Sequence, residues 1–554
     1  MLWRSPTSIL RAHRWFVLLL PWTLLGGITN VRGEVSEQSF ELRLRSRVPV
    51  KAESTQFRVI ETSAAWKPSE TAIIVCDVWD LHHCLNAVLR VKEMAPTMER
   101  VLTTARKRGA LIIHAPSDCM EAYKKHPARR RALETPRAKN LPADIGKWCD
   151  RIPAEEKGTY PIDQSEGGED DDPKEHQEWA EKLTAMGRNP RLPWKSETNL
   201  LTIGDTDLIS DSGEEIWNAL EVRGIRNVIL LGVHTNMCVL GRPFGLRQMA
   251  KNGKNVVLMR DMTDTMYNPA RPPYVSHFAG TDLIVEHIEK FVAPTITSDQ
   301  LLGGVPFHFK GDTRPHVALV VAEDEYKTEE TLPVFASSRL TKDYFVDYVF
   351  ASERDRNSLP AIGLLEGADA ALISVRRRVL PADQLEALKR FVSAGKSVVG
   401  IRTASHAFAP RAQESVAEGH RAWEAFDAEV LGGSYHGHHG EGPAVALSVA
   451  ENRGTHPILK GVDVSRLVGH GSLYKVSPLA TSAQPLLIGK IPGQAEEPVA
   501  WTNSPASGGR VFYTSLGHPE DFQSSEFQQL LRNALDWATA PQHTQKDVRE
   551  SVEE

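Results

Sequence analysis

The chain has 554 residues, of which 41% are hydrophobic and 25% charged, and its formal net charge is −6. This length is enough for more than one hydrophobic core, so two or three domains are expected. A nucleic-acid-binding protein normally carries a basic face, so a slightly acidic chain of ordinary composition argues against nucleic acid as a partner.

Residues 1–33 differ in composition from the rest of the chain. Four basic residues precede the apolar segment 15–25: Arg4, Arg11, His13 and Arg14. This order is typical of a secretory signal peptide, and Pro21 and the short span argue against a transmembrane helix. We therefore expect export, to the periplasm or outside the cell, with an uncleaved membrane anchor as the alternative. No later segment is apolar enough to span a bilayer, so no stable membrane insertion is expected after cleavage.

The cysteine content also bears on the exported form. The five cysteines are Cys76, Cys84, Cys119, Cys149 and Cys238. In an exported protein an odd number leaves at least one thiol without a partner in the chain. If Cys238 is that one, the other four can form up to two disulfides, whose pairing the sequence does not give.

Strand and helix patterns alternate over residues 60–297. Apolar runs at 71–77 and 109–116, separated by a helical pattern at 86–107, predict a strand–helix–strand unit of a parallel sheet. The alternation continues with a helix at 215–223, a strand at 228–232, a helix over 236–252, a strand at 255–260, and a strand with a short helix within 281–293. The charged, proline-containing stretch 121–195 is predicted to be a long surface insertion, in which the acidic run 166–173 is a solvated loop rather than a cation site.

A second α/β series occupies residues 315–541. The glycine- and proline-containing stretch 298–314 is predicted to be a linker before it. Strands are expected at 316–322, 370–375, 396–401, 443–449 and 510–515, and helices at 381–394 and 525–538. The polar tail 542–554 is expected to be disordered. The predicted fold class is α/β, with two doubly wound, mainly parallel-sheet, three-layer domains after an N-terminal signal peptide.

The stretch 227–240 predicts a buried strand that passes through a turn at Gly232 into a helix. Cys238 lies in the first turn of that helix, where the helix dipole and free backbone N–H groups favour a thiolate. Cys238 is therefore a candidate nucleophile, and a buried, unreactive cysteine is the alternative. Asp77 ends an earlier strand, so both residues should face the crevice at the carboxyl edge of the sheet, with Asp77 as the base.

Three motifs within residues 60–297 resemble those of the isochorismatase-like cysteine hydrolases, the superfamily of nicotinamidases and N-carbamoylsarcosine amidases. They are the strand ending in Asp77, the Gly-x-x-Thr-x-x-Cys turn at 232–238, and the strand 256–261. The resemblance implies an Asp/Lys/Cys triad and a cis peptide in the turn before Thr235. It also implies attack of the cysteine on a carbonyl or imine carbon, with the oxyanion held by backbone N–H groups of the turn.

The resemblance also suggests the remaining site residues. Lys195 is the predicted third member of the triad, because it precedes Cys238 by about the separation usual in the family; Lys147 and Arg191 are the fallback cations. The predicted walls of the substrate pocket or oxyanion turn are His234, Thr235 and Trp79. Three further histidines raise the question of a metal: His82, His83 and His114. The metal-binding spacing of nicotinamidases is not visible, so core or rim histidines are favoured, and neither a metal nor another cofactor is predicted.

Four motifs follow in order in the second block, at 400–406, 431–436, 455–461 and 509–518. They resemble the ThuA-like, trehalose-utilisation family, which shares the fold of class I glutamine amidotransferases. Where an amidotransferase carries its cysteine this chain has Thr403 or Ala404, and no cysteine follows Cys238, so cysteine chemistry is not expected here. The candidate site for a metal or a sugar-like ligand consists of His406, His436 and His518. The neighbouring His438 and His439 could join it or belong, with His436, to a flexible loop.

Together these patterns predict an exported hydrolase that acts on a C–N (amide-like) or related bond of a small polar molecule through Asp77, Lys195 and Cys238. One alternative is a non-catalytic or carbohydrate-related binding protein whose ThuA-like domain holds a sugar-like ligand. Another places metal-dependent chemistry in the histidine-rich crevice. The expected partner is a small-molecule substrate, and a homo-oligomer is left open.

Overall fold

A computed structural model of the chain describes residues 38–52, 54–411, 413–440 and 444–541. The predicted signal peptide and the predicted disordered tail lie outside the described residues. Within these ranges, no helix has both the length and the apolar character needed to cross a membrane.

The first half of the described chain is built on an eight-stranded sheet. Its strands are β1 (Phe40–Pro49), β2 (Phe57–Trp66), β3 (Thr71–Cys76), β4 (Leu111–Ala115), β5 (Leu208–Ile209), β6 (Asn227–Val233), β7 (Asn255–Asp264) and β8 (Thr295–Ile296). Their order across the sheet is β2-β1-β8-β7-β6-β3-β4-β5. The six strands from β8 to β5 run parallel, and the β1–β2 hairpin extends the sheet antiparallel to them.

Helices cover both faces of this sheet. They are α1 (Leu85–Lys107), α2 (Pro127–Leu133), α3 (Pro173–Ala185), α4 (Gly213–Val222), α5 (Leu246–Lys251), α6 (His277–Phe291) and α7 (Asp299–Leu302). All six residues of β3 are buried: Ile73 and Val75 face one hydrophobic core, whereas Ala72 and Ile74 face another. Because side chains alternate along a strand, an unbroken apolar run of this kind requires cover on both faces.

The second half is built on a nine-stranded sheet and a short two-stranded one. The strands are β9 (His316–Ala322), β10 (Phe345–Phe350), β11 (Ala370–Val375), β12 (Leu380–Pro381), β13 (Ser397–Ile401), β14 (His420–Arg421), β15 (Val445–Val449), β16 (Val468–Gly469), β17 (Gln484–Lys490), β18 (Glu497–Asn503) and β19 (Val511–Thr514). The large sheet has the order β10-β9-β11-β13-β19-β18-β17-β15-β16, parallel from β10 to β19 and antiparallel beyond. The helices are α8 (Thr328–Arg339), α9 (Ala382–Ser393) and α10 (Ser525–Thr539).

The α/β fold class with two sheet-and-helix halves is confirmed, but two predicted elements are wrong. Residues 281–291 belong entirely to α6, which is buried along most of its length, so its apolar run resembles a strand in sequence. The predicted helix 236–252 is interrupted: a π-type turn at Thr235–Val239 is followed, after Pro243 and Gly245, by the short helix α5. Proline lacks the N–H that a continuous helix would use there.

The stretch 121–195 is more ordered than a solvated insertion. It contains α2 and α3 and buries apolar side chains such as Ile162 and Trp179. The prediction of a solvated acidic run is wrong for Asp170 and Asp171, whose side chains are almost fully buried, whereas Glu166 is exposed. All five cysteines are described, and each is free, so neither of the two disulfides that the cysteine count allowed is present.

Candidate active site

Asp77 and Cys238 meet at the carboxyl edge of the first sheet. Asp77 directly follows β3, and the turn with Cys238 directly follows β6, its parallel neighbour. The carboxyl ends of adjacent parallel strands lie together, so the sheet topology brings the two side chains into contact. The Cys238 thiol and the Asp77 carboxyl group lie close enough for each to affect the pKa of the other.

The Asp77 carboxylate is fully buried and held at both oxygens. Its Oδ1 accepts the backbone N–H of Ser117 at 2.7 Å, and its Oδ2 accepts Nε of Arg242 at 3.0 Å. The backbone of Asp77 has φ +49°, a left-handed conformation that Asp tolerates better than most residues. Burial raises the pKa of Asp77 above its usual range, although Arg242 and Ser117 act in the opposite direction.

The turn before Cys238 is fixed by close backbone packing. Gly232 has φ +109°, and a Cβ at this position would lie 2.1 Å from the carbonyl oxygen of Cys76, so only glycine fits there. The peptide bond between Val233 and His234 is cis, as the family resemblance implies. The hydroxyl of Thr235, fully buried, donates to the carbonyl of Asp264 at 2.9 Å. Gly232 and Thr235 therefore have structural reasons to occupy the Gly-x-x-Thr-x-x-Cys pattern.

The protonation state of Cys238 differs from the predicted thiolate. Burial raises the pKa of the Cys238 thiol well above its usual range, and the Asp77 carboxylate raises it further, whereas Arg242 lowers it. The short π-type turn does not outweigh these two effects. The resting cysteine is therefore a thiol, which needs a base to become a nucleophile.

The cation beside Asp77 is Arg242, not Lys195. Lys195 is exposed, and only its backbone N–H is engaged locally, with Oδ1 of Asp80 at 3.0 Å. The fallback residues Lys147 and Arg191 are also exposed. Within the part of the chain that the structure describes, neither forms an ion pair with Asp77. Sequence reasoning missed Arg242, although its position four residues after Cys238 places both on one helical face, a signal that was available.

Aromatic side chains from the segments that follow Asp77 and precede Cys238 pack against one another. Trp79 stacks on Trp194 with ring centroids 4.4 Å apart and donates its indole N–H to the carbonyl of Ser117. The His82 ring lies 4.8 Å from that of His234, which is buried and has no hydrogen-bond partner for Nε2 among the described residues. Burial lowers the pKa of His234 to about 4, so this imidazole is neutral at pH 7. Trp79, His234 and Thr235 stay predicted members of the pocket wall or the oxyanion turn.

The remaining candidate metal ligands have protein partners. His114 is fully buried between Glu197 (2.8 Å) and Asp207 (3.1 Å). Within the described ranges, one group brings metal-ligand atoms close together: Cys84, Asp170 and Asp171. Its carboxylates already accept hydrogen bonds from Arg90 and from the first backbone N–H groups of α1.

The second half has its own polar crevice at the carboxyl edge of its parallel strands. Arg402 directly follows β13 and adopts a left-handed conformation (φ +43°), and Thr403 and Ala404 follow it in the same buried turn. His406 is nearly buried and stacks on Tyr435 at 4.6 Å, and His518 is half-buried, 5.9 Å from the ring of Tyr326. Burial lowers the pKa of His406 to about 3, so it is neutral.

The other histidines of this half do not join His406 closely. His436 is exposed, and its ring contacts the carbonyl oxygen of Ser434 at 2.8 Å. His438 is exposed near the ring of Tyr474, 6.4 Å between centroids. His436 and His438 therefore lie on an exposed loop that contacts the crevice through Tyr474.

One family model matches the second half of the chain. Residues 317–538 match the family model "ThuA: Trehalose utilisation". A search of curated protein sequences finds no match to the chain. Among solved structures, a protein described as ThuA-like from Bacteroides uniformis is similar to this chain at 17% identity, covering 42% of this chain and 95% of its own, with a TM-score of 0.32.

Two solved structures of cysteine hydrolase type are also distantly similar. A cysteine hydrolase from Pseudomonas syringae pv. phaseolicola has 15% identity over 42% of this chain and 92% of its own, with a TM-score of 0.26. An isochorismatase family protein from Burkholderia thailandensis has 15% identity over 42% of this chain and 93% of its own, with a TM-score of 0.23. The C-terminal region of the chain therefore contains a ThuA-like domain.

Proposed function

We propose that the first half of the chain is a cysteine hydrolase that cleaves a C–N (amide-like) or related bond of a small polar molecule. The supporting observation is one cluster of a thiol, a carboxylate and a guanidinium, Cys238, Asp77 and Arg242, in which Arg242 is hydrogen-bonded to Asp77 and Asp77 affects the pKa of Cys238. A carboxylate beside a thiol can act as its general base. The composition of residues 1–33 supports export of this enzyme.

The reaction begins with proton transfer from the Cys238 thiol to Asp77 as the sulfur attacks the carbonyl carbon. The S–C bond forms, and the negative charge moves to the carbonyl oxygen, where backbone N–H groups of the turn stabilise it. Asp77 then gives its proton to the nitrogen, the C–N bond breaks, and the amine leaves. In the second stage Asp77 takes a proton from water, the water oxygen attacks the thioester, and the C–S bond breaks. The proton returns to sulfur, and a carboxylic acid is released.

Arg242 keeps Asp77 usable as a base. Burial strengthens the basicity of Asp77, but a carboxylate buried without a counter-charge would take up a proton and lose its function. Arginine remains charged at any physiological pH, so its guanidinium favours the ionised carboxylate. In this role Arg242 acts through Asp77 and is a positioning residue.

The surroundings of the cluster suggest the class of substrate. The flat rings of Trp79 and Trp194 and the neutral imidazole of His234 offer apolar faces and few charges. Such walls suit a small, uncharged, polar molecule with a planar amide or ring.

The proposal is tested by release of ammonia or amine from a panel of small primary amides and N-carbamoyl compounds, with the full chain as enzyme. We expect Cys238→Ala to lower turnover of any hydrolysed compound at least roughly 10³-fold. The control is Cys149→Ser, which removes a different buried thiol whose partner is the carbonyl of Arg151. Mass spectrometry should find the acyl group on the peptide that contains Cys238. Undiminished turnover by Cys238→Ala would refute the proposal.

A non-catalytic binding role is the second candidate function. It is favoured by the raised pKa of Cys238 and by an arginine in place of the lysine that the family resemblance implies. In that case a small polar molecule binds near Trp79 and protects the chain against unfolding. The same panel would then give ligand-dependent stabilisation without release of amine from any compound.

A further inference from the structure

Arg402 is a buried arginine whose charge the fold leaves without a carboxylate partner. It is 2% exposed, and Nη1 donates to the carbonyl of Ser515 at 2.7 Å. Its Nε and Nη2 lie buried with no hydrogen-bond partner, and no carboxylate forms an ion pair with it in the described part of the chain. Other buried arginines are paired: Arg90 with Asp264 at 2.8 Å, and Arg247 with Glu155 at 2.7 Å. Since an unpaired buried charge is costly, Arg402 lacks a counter-charge that a ligand could supply.

The nearest acidic groups are engaged elsewhere. Asp521 is fully buried, with Oδ1 accepting from His470 at 2.8 Å and Oδ2 accepting from the backbone N–H groups of Gly517 and His518. Glu325, on the loop above the crevice, forms an ion pair with Arg376. The carboxylates around the crevice therefore have partners other than Arg402.

The free edge of Arg402 has the geometry for an oxyanion. Nε–H and one Nη2–H are parallel and lie in the guanidinium plane along one edge, the arrangement that binds two oxygens of a carboxylate or phosphate. Beside this edge is Gly471, with φ +79°. A Cβ at Gly471 would lie 2.4 Å from Nη2, so a side chain at this position would displace the guanidinium.

Aromatic rings frame the same guanidinium. The Tyr326 ring lies 4.1 Å over Cζ of Arg402 and the Tyr474 ring 5.0 Å from it, and Tyr435 continues the group 4.8 Å from Tyr474. These rings offer flat apolar faces with polar tips, which suits the ring of a sugar-sized polar molecule. Tyr326 is only partly buried and lies in the loop 323–327 between β9 and α8, so its ring covers Arg402 on the solvent side.

We propose that this crevice binds the carboxylate or phosphate of a sugar-sized molecule, with the Nε/Nη2 edge of Arg402 as its anchor. Tyr326 swings aside as the ligand enters, and the tyrosine rings pack against the remainder of the ligand. The site lies in the ThuA-like half and is independent of the Cys238 chemistry.

Titration calorimetry on the full chain tests the site with four probes: D-glucuronate, glucose 6-phosphate, inorganic phosphate and neutral D-glucose. We expect at least one of the two anionic sugars to bind at least roughly tenfold more tightly than D-glucose. Comparing the affinities of glucuronate and glucose 6-phosphate distinguishes a carboxylate from a phosphate ligand. The affinity of inorganic phosphate shows how much the anion alone contributes to binding. The proposal is overturned if no anionic probe binds at about 10 mM, or if D-glucose binds as tightly as both anionic sugars.

Two substitutions then test the anchor itself. Arg402→Lys keeps the charge but loses the two-pronged edge, and we expect roughly tenfold weaker binding of the anionic sugar. Arg466→Lys, at an exposed arginine paired with Glu526, is its control. If Arg402→Lys does not fold, Gly471→Ala puts a methyl group beside Nη2 and should weaken binding to the same extent. The control for Gly471→Ala is Gly461→Ala. Gly461 has a similar φ of +71°, but no atom lies within 4 Å of a Cβ added there. Unchanged affinity in either crevice variant overturns the proposal.

Discussion

Nε of Arg242 lies 3.0 Å from Oδ2 of Asp77, although the two residues are 165 positions apart in the chain. The contact joins the end of β3 to the segment after β6, where the Asp77 carboxylate affects the pKa of the Cys238 thiol. Arg242, four residues after Cys238, therefore acts on Asp77, the proposed general base for Cys238.

Replacing Arg242 by Gln should impair the base rather than the nucleophile. Without the guanidinium, burial of Asp77 is less opposed, so the pKa of Asp77 rises further above its usual range. For any amide that the enzyme hydrolyses, we expect kcat/KM at pH 7 to fall roughly 10²-fold and the acid limb of the pH profile to move to higher pH. Arg242→Lys should recover part of the loss. Arg137→Gln, at an exposed pair with Glu214, is the control, and superimposable profiles for Arg242→Gln and wild type would contradict the assigned role.

Asp77→Asn should make Cys238 easier to alkylate while abolishing hydrolysis. The Asp77 carboxylate raises the pKa of the thiol, so removal of its charge lowers that pKa and increases the thiolate fraction at pH 7–9. Asn also tolerates the φ of +49° at this position. We expect iodoacetamide to react slowly with wild-type Cys238 and at least about fivefold faster with the variant, as measured by peptide mass spectrometry. Equal or slower alkylation of the variant would argue against the thiol–carboxylate contact.

The backbone part of the candidate site was predictable from sequence. Asp77 follows an apolar run too continuous for a half-exposed strand, and Gly232 interrupts the next such run, which places both ends at one edge of a parallel sheet. The strands of the second half were predictable for the same reason, since β9, β11 and β13 are buried on nearly every residue.

The side-chain partners were not predictable in the same way. Which cation reaches Asp77 depends on the direction of the chain after Cys238, where Pro243 turns it out of a continuous helix. Likewise, the run 166–173 looks solvated because its charges have no partner nearby in sequence. Its partners are Arg90 and the start of α1, which only the tertiary fold brings to it.

Asp171→Ala should destabilise the protein through the first turn of α1. The residue before this helix, Cys84, provides no side-chain cap, and Asp171 accepts the N–H groups of Leu85 at 2.7 Å and Asn86 at 2.8 Å instead. Loss of a buried cap should lower the free energy of unfolding by about 1–2 kcal/mol in urea titration. Glu166→Ala, in the same run but exposed, should change it by less than about 1 kcal/mol. Equal effects of the two variants would mean that Asp171 does not cap α1.

The contacts of His277 with Asp264 and Asp170 should make the free energy of unfolding depend on pH above neutrality. Its Nε2 lies 2.8 Å from Oδ1 of Asp264, and its Nδ1 lies 3.1 Å from Oδ2 of Asp170. Burial lowers the pKa of His277, but the two carboxylates outweigh burial and raise it to about 9. The unfolded-state pKa of histidine is about 6.5, below the folded-state pKa of His277. The protonated His277 therefore contributes its full stability below pH 6.5, and this contribution is lost as the pH rises towards 9.

We therefore expect the free energy of unfolding to decline between pH 6.5 and 9, and His277→Gln to remove about 2–3 kcal/mol of that decline. The slope should not vanish, because His114 lies between Glu197 and Asp207, and its pKa is likewise raised to about 9 against the effect of burial. Urea titrations of wild type and His277→Gln at several pH values measure the difference. Because glutamine cannot take up a proton, the two stability curves should converge as the pH approaches 9, and parallel curves would show that His277 is not protonated in the folded protein.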